Sequence, residues 1–80
     1  MKIYGYTKNI MEQIQPKPLN LTEVTLVATP QELRQIAAFL LQEADDMEKL
    51  ESGFEHAHLS DSFSSFENDP QFIIWNDSLK

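Results

Sequence analysis

The sequence contains no cysteine. No disulfide can staple the chain, and no thiolate is there to bind zinc or attack a substrate. Only two glycines occur, Gly5 and Gly53, which excludes a glycine-rich loop cradling phosphate through its backbone N–H groups. Basic side chains are scarce: six against thirteen Asp and Glu, a formal net charge of −7 at pH 7. Gripping nucleic-acid phosphates takes Lys and Arg, so no nucleic-acid partner is expected. No apolar run approaches the roughly 20 residues that span a bilayer, and no membrane partner is expected. The opening Met-Lys-Ile-Tyr-Gly-Tyr has neither the long apolar stretch nor the cleavage pattern of a signal peptide. A cytoplasmic location is therefore expected.

What is present amounts to one small domain, residues 1–80, of which 41% are apolar. A chain this short buries only about 60–65% of the surface it exposes when unfolded, so its core must be thin. Residues 2–6 read as a short strand, with Ile3, Tyr4 and Tyr6 suited to a pleat and Gly5 marking a close approach or bulge. Ile10, Met11 and Ile14 fit a single helical turn, and Pro16 and Pro18 force an extended turn after it. Residues 21–28 have the strongest strand signal, being rich in β-branched side chains, with Val24, Leu26 and Ala28 alternating against Glu23, Thr25 and Val27.

Thr29-Pro30-Gln31-Glu32 is a helix start. Thr29 serves as N-cap, Pro30 tolerates the first helical position because its missing N–H has no partner there, and Glu32 can complete a capping box. Leu33, Ile36, Ala37, Leu40, Leu41, Ala44 and Met47 then recur at helical spacing, flanked by Phe39 and Leu50. The predicted helix runs from Pro30 to about Ser52 and stops at Gly53. Residues 54–61 suggest a short third strand, 60–69 a polar loop anchored by Phe63 and Phe66, and 71–75 a last strand. The expected fold is α+β, in the order β-β-α-(β)-β. One long amphipathic helix would pack on one face of a small antiparallel sheet of three to four strands.

Two features bear on function. His56-Ala-His58 would put both imidazoles on one face of a strand, and Asp61 or Glu55 might add a carboxylate. Two nitrogens without a second His pair make a weak metal site, and the alternative is two histidines packing at a sheet edge. No metal and no cofactor is expected. No Gly-x-Ser-x-Gly elbow accompanies the serines, and no enzyme is expected. The second feature is charge. Residues 43–69 hold nine acids against Lys49 alone, a net of −8, so the rest of the chain nets +1. Gathered on one surface, they would speed encounter with a basic partner; the alternative is ordinary solubilising charge. The candidate partner-binding residues are Asp45, Asp46, Glu48, Glu51, Glu55, Asp61, Glu67 and Asp69, with Phe63 and Phe66 either anchoring an interface or pinning their loop to the core.

Lys-Ile-Tyr-Gly-Tyr opens the chain. Leu-Thr-Glu-Val-Thr-Leu-Val-Ala-Thr-Pro-Gln-Glu-Leu-Arg-Gln-Ile-Ala-Ala-Phe-Leu follows, then Phe-Glu-His-Ala-His-Leu-Ser-Asp and finally Asp-Pro-Gln-Phe-Ile-Ile-Trp-Asn. In this order and spacing the segments resemble the immunity protein 32 family of bacterial polymorphic-toxin systems, from about Met1 to Asn76. The loop at residues 15–18 looks longer than that family's pattern. The resemblance implies an α+β, cytoplasmic, non-catalytic protein that binds and neutralises a cognate toxin stoichiometrically. Joined to the acidic face, it suggests a basic toxin, a nuclease being one such class. A small metal-binding domain using His56 and His58, or an accessory subunit joined through a sheet edge, is the alternative expectation.

Overall fold

Thr29 and Glu32 close the predicted capping box in the computed structural model, which describes residues 1–50 and 53–77. The Thr29 N–H donates to Glu32 Oε1 at 2.8 Å, and the Glu32 N–H donates to Thr29 Oγ1 at 3.2 Å. These two bonds satisfy donors that the first helical turn leaves open. Hydrogen bonding to the Glu32 carboxyl, from the Thr29 backbone N–H first and the Thr29 side chain second, holds it below its ordinary pKa. From this start the long helix, α2, runs Pro30–Leu50. Glu51 and the expected helix end at Ser52 lie outside the described residues.

Before α2 come a strand β1 (Ile3–Gly5), a single helical turn α1 (Lys8–Met11) and a strand β2 (Leu19–Leu21). Thr7 caps α1, its hydroxyl accepting from the Ile10 N–H at 3.2 Å. β1 and β2 pair antiparallel, Ile3 opposite Leu21 and Gly5 opposite Leu19. Gly5 marks a close approach, as its sequence setting implies: a Cβ there would lie 2.9 Å from Leu21 Cδ1.

After α2 come β3 (His56–His58), a short helix α3 (Leu59–Ser62), a 3-10 turn at Ser64–Phe66 and β4 (Ile73–Trp75). β3 and β4 pair antiparallel, with His56 opposite Trp75, Ala57 opposite Ile74 and His58 opposite Ile73. Backbone bonds extend the ladder at both ends, Leu59 N–H to Phe72 C=O and Asn76 N–H to Glu55 C=O, each 2.9 Å. The buried Asn76 side chain adds a third closure, its Nδ2 donating to the Phe54 carbonyl at 3.0 Å.

The core joins one flank of α2 to this C-terminal unit. Ile36 and Phe39 meet Leu59 and Phe66, with Ala57, Phe63, Phe72 and Ile74 packed around them. Phe39 and Leu59 are both 2% exposed. The Phe72 ring meets Phe39 edge-on, centroids 6.4 Å apart at 76°, a geometry worth roughly 0.5–1.5 kcal/mol beyond the area it buries. Glu43 also lies on the buried flank. Burial, and then the negative charge of Asp46, raises its pKa.

The α+β class and the element order agree with the sequence reading, but three particulars differ. There is no single sheet of three or four strands; there are two separate two-stranded sheets. The pairings are local on either side of α2, which keeps the two hairpins apart. Residues 21–28 do not form a strand: only Leu21 belongs to β2, and residues 22–29 make no ladder. β-branched side chains favour a pleat only where another strand supplies hydrogen bonds and packing, and β1 already pairs upstream at Leu19–Leu21. Finally, the helix stripe is only partly covered. Phe39, expected at its margin, is the best-buried residue of α2, whereas Leu33, Leu40 and Leu41 are 47%, 41% and 71% exposed.

Phe39→Ala should cost about 3–5 kcal/mol, a large share of the roughly 4–12 kcal/mol expected for a domain of this length; urea denaturation would then show a chain largely unfolded at 37 °C. Thr29→Ala should cost about 1 kcal/mol at neutral pH. Because the folded-state pKa of Glu32 is depressed, the capping contribution holds above the ordinary carboxylate range and is lost as pH falls through the folded value. The deficit of Thr29→Ala should therefore narrow in acid. Glu43 has the opposite sign: its raised pKa makes the ionised form a penalty that appears as pH rises through the carboxylate range. Glu43→Gln should raise the Tm at pH 7, and the gain should vanish in acid.

Candidate partner-binding face

Strand alternation fixes which way the C-terminal hairpin looks. Ala57 and Ile74 turn inward and pack on the core. Their neighbours His56, His58, Ile73 and Trp75 therefore share the outer face. Trp75 is 63% exposed and Ile73 42% exposed. The cross-strand register sets His56 against Trp75, and the two rings stack with centroids 4.7 Å apart at 19°. His58 meets His56 edge-on at 5.3 Å. The result is an aromatic platform of three rings, standing in water on a backbone held by the core behind it.

Hydrogen bonds steady the two imidazoles. His56 Nδ1 lies 3.1 Å from Glu55 Oε1, and His58 Nδ1 lies 3.3 Å from Gln71 Oε1. The Glu55 carboxylate can only accept, so His56 Nδ1 is the donor in that contact. The histidines do share a face, as the His-x-His spacing implies. Among the described residues no three His, Cys, Asp or Glu side chains come together as a metal site, so Asp61 is not brought in as a third ligand.

The expected acidic residues divide by position. Asp45, Glu48, Glu55, Asp61, Glu67 and Asp69 are exposed. Asp46 is half-buried and accepts a bond from Gln42 Nε2 at 3.2 Å. None of these makes an ion pair with Lys or Arg among the described residues, where the one acid–base contact is Glu55 with His56. At 100° per residue along the helix, Asp45 and Glu48 point away from the buried flank while Asp46 lies beside it.

The two loop phenylalanines part company. Phe66, expected among the partner contacts, is 7% exposed and belongs to the core cluster; the 3-10 turn at Ser64–Phe66 rolls it under α2, so it offers a partner no surface. Phe63 is half-buried and, with Ala38, Phe39, Gln42 and Ser62, lines a shallow depression of about 230 Å³. Trp75 is the residue that sequence reasoning assigned to the core by default. Its signal was nevertheless present: in residues 72–75 the alternation that sends Phe72 and Ile74 inward sends Ile73 and Trp75 out.

The model of one family, immunity protein 32, matches residues 23–76. The chain belongs to the immunity protein 32 family. The match takes in α2, the whole buried core and the outer hairpin face through Asn76, and it leaves out the β1–β2 hairpin and the proline-bearing loop. Neither a curated protein nor a solved structure matches the chain. Among the described residues no helix is long and apolar enough to cross a membrane.

Trp75→Ala should lower stability by under about 1.5 kcal/mol, since it removes a stacking contact at an exposed site and opens no cavity. Thermal unfolding should thus separate it from Phe39→Ala, and equal losses would show Trp75 to be a fold residue.

Proposed function

We propose that this immunity-family chain works by occupancy: a cytoplasmic, non-catalytic protein that binds a cognate bacterial toxin one to one and covers its active cleft. The observation that carries the reading is the exposed Trp75–His56 stack on the outer face of the β3–β4 hairpin. An exposed tryptophan on a rigid backing is the kind of residue that dominates binding energy at interfaces. Trp75 is ordered before the partner arrives, because register and stacking hold it, so little conformational entropy remains to be lost on docking.

Charge supplies the second part. Asp45, Asp46, Glu48, Glu55, Asp61, Glu67 and Asp69 lie in the half of the chain that carries the net charge of −8. At the rim of an interface such residues raise the association rate and contribute less to the lifetime of the complex. Phe63, at the edge of its depression, is a further apolar contact. A basic toxin fits this surface, and an enzyme that acts on nucleic acid, having its own phosphate-binding cleft, would be basic. The carboxylates would then occupy the place of phosphates.

The two contributions are separable in kinetics. With a cognate toxin domain as the partner, Trp75→Ala should weaken the complex by about 30-fold or more, mainly through faster dissociation. Reversing Glu55, Asp61 and Glu67, which lie off α2, to Lys should slow association and flatten its salt dependence, with dissociation little changed. Stopped-flow or surface-plasmon measurements across a salt series would read both. Unaltered rates in the charge-reversed variant would refute the electrostatic part of the mechanism, and unaltered affinity in Trp75→Ala the anchoring part.

A further inference from the structure

The molecule shows water more surface than its mass calls for. It exposes 6892 Å², roughly 2,000 Å² more than the ~4,900 Å² expected of a folded monomer of this size. Its radius of gyration is 13.7 Å, against about 12 Å for a compact chain of this length. Part of that surplus lies on α2 and the segment before it. No described residue before Ile36 is buried, and one flank of α2 has no neighbour.

That flank is apolar. Leu33, Ala37, Leu40, Leu41 and Ala44 are all exposed, and at 100° per residue they form a stripe about 100° wide, turned roughly 110° from Ile36, Phe39 and Glu43. Just before the helix, Val24, Leu26 and Val27 are 55%, 48% and 97% exposed. Residues 1–42 net +1, while α2 itself nets −3 with its acids gathered toward its C-terminal end.

We infer that a second copy of this chain covers the stripe, α2 lying antiparallel on α2 across a two-fold axis near Leu40 and Leu41. Three features select this occupant. The stripe is self-complementary, as an isologous interface requires: Ala37 of each copy faces Ala44 of the other, and small residues meeting in this way let two helices approach closely. The charges at its edge are also complementary. Arg34 stands at the N-terminal end, Asp45 and Glu48 stand on the same edge at the C-terminal end, and none of the three has an ion pair within the described residues. Antiparallel packing brings Arg34 of one copy to the acids of the other, twice. Parallel packing would set Arg34 level with Arg34 and Glu48 level with Glu48, leaving no partner of opposite sign. Lastly, the surplus of the whole chain is larger than the ~800 Å² per partner of a standard interface, so a dimer face of ordinary size fits within it. The outer face of the β3–β4 hairpin is not used; of the residues named for the toxin only Asp45 and Glu48 stand at the edge of the stripe, so the dimer does not depend on docking through Trp75.

The isolated full-length chain is the material for the test. Sedimentation equilibrium should give twice the 9.2 kDa chain mass, and Leu41→Glu, at a position 71% exposed, should give the monomer with helical circular dichroism retained. Arg34→Glu should weaken the dimer by about tenfold, and adding Glu48→Arg should restore it. Because the sequence lacks cysteine, an Ala37→Cys chain mixed with an Ala44→Cys chain should oxidise to the mixed disulfide in preference to either homodimer. A chain that stays monomeric at high micromolar concentration would overturn the inference. So would a dimer that survives Leu41→Glu, or disulfides that form between like variants.

Discussion

One covered flank of α2 is the constraint on which everything else rests. Phe39 reaches from the helix into the pocket made by Leu59, Phe66 and the edge of Phe72, and those residues belong to three different segments of the C-terminal unit. With them in place, Ala57 and Ile74 must face the helix. Once they do, the two-residue period of a strand sends His56 and Trp75 outward. The aromatic platform is thus a consequence of the core: the hairpin can present an aromatic face to water because its other face has somewhere to go. Asn76, bonded to the Phe54 carbonyl and to Glu55, locks the end of the hairpin where the platform stands.

How far the sequence discloses this depends on the range of each interaction. The capping box at Thr29 and Glu32 involves residues three apart, and it forms as read. The helical turn at Ile10 and Met11 and the shared face of His56 and His58 are equally local. Residues 21–28 mislead because a strand is a property of a pair: Val24, Leu26 and Val27 carry the right side chains with no partner alongside. The single expected sheet fails for the same reason, each strand finding its partner on its own side of the long helix. The stripe on α2 is correctly placed as apolar, but periodicity cannot tell which part of a stripe will be covered. Phe66, left between interface and core, proves to be core, and Trp75, given to the core by default, proves to be exposed, because aromatic character alone does not decide burial. For Phe66 a 3-10 turn decides it, and for Trp75 the register opposite His56.

The molecule therefore has two surfaces of different character. One flank of α2 and the segment before it are apolar and nearly neutral. The second half of the chain is acidic and ends in a rigid aromatic patch. A small immunity-family protein has a reason to keep them apart. On the proposed reading, an apolar face for its own copy adds to a thin core, while a charged face with an aromatic anchor speeds encounter with a basic partner. Burial of the first leaves Trp75 and His56 uncovered, because they project from β3 and β4 and not from α2; only Asp45 and Glu48 stand at the edge of both surfaces.

The claim at the centre is that Trp75 is the point of docking. The chain has one tryptophan, so growth on 5-fluorotryptophan would give a single fluorine resonance from that ring. Addition of the toxin domain should shift and broaden it to the new environment at one equivalent. A resonance that stays in place while the complex demonstrably forms would put the interface elsewhere and contradict the account.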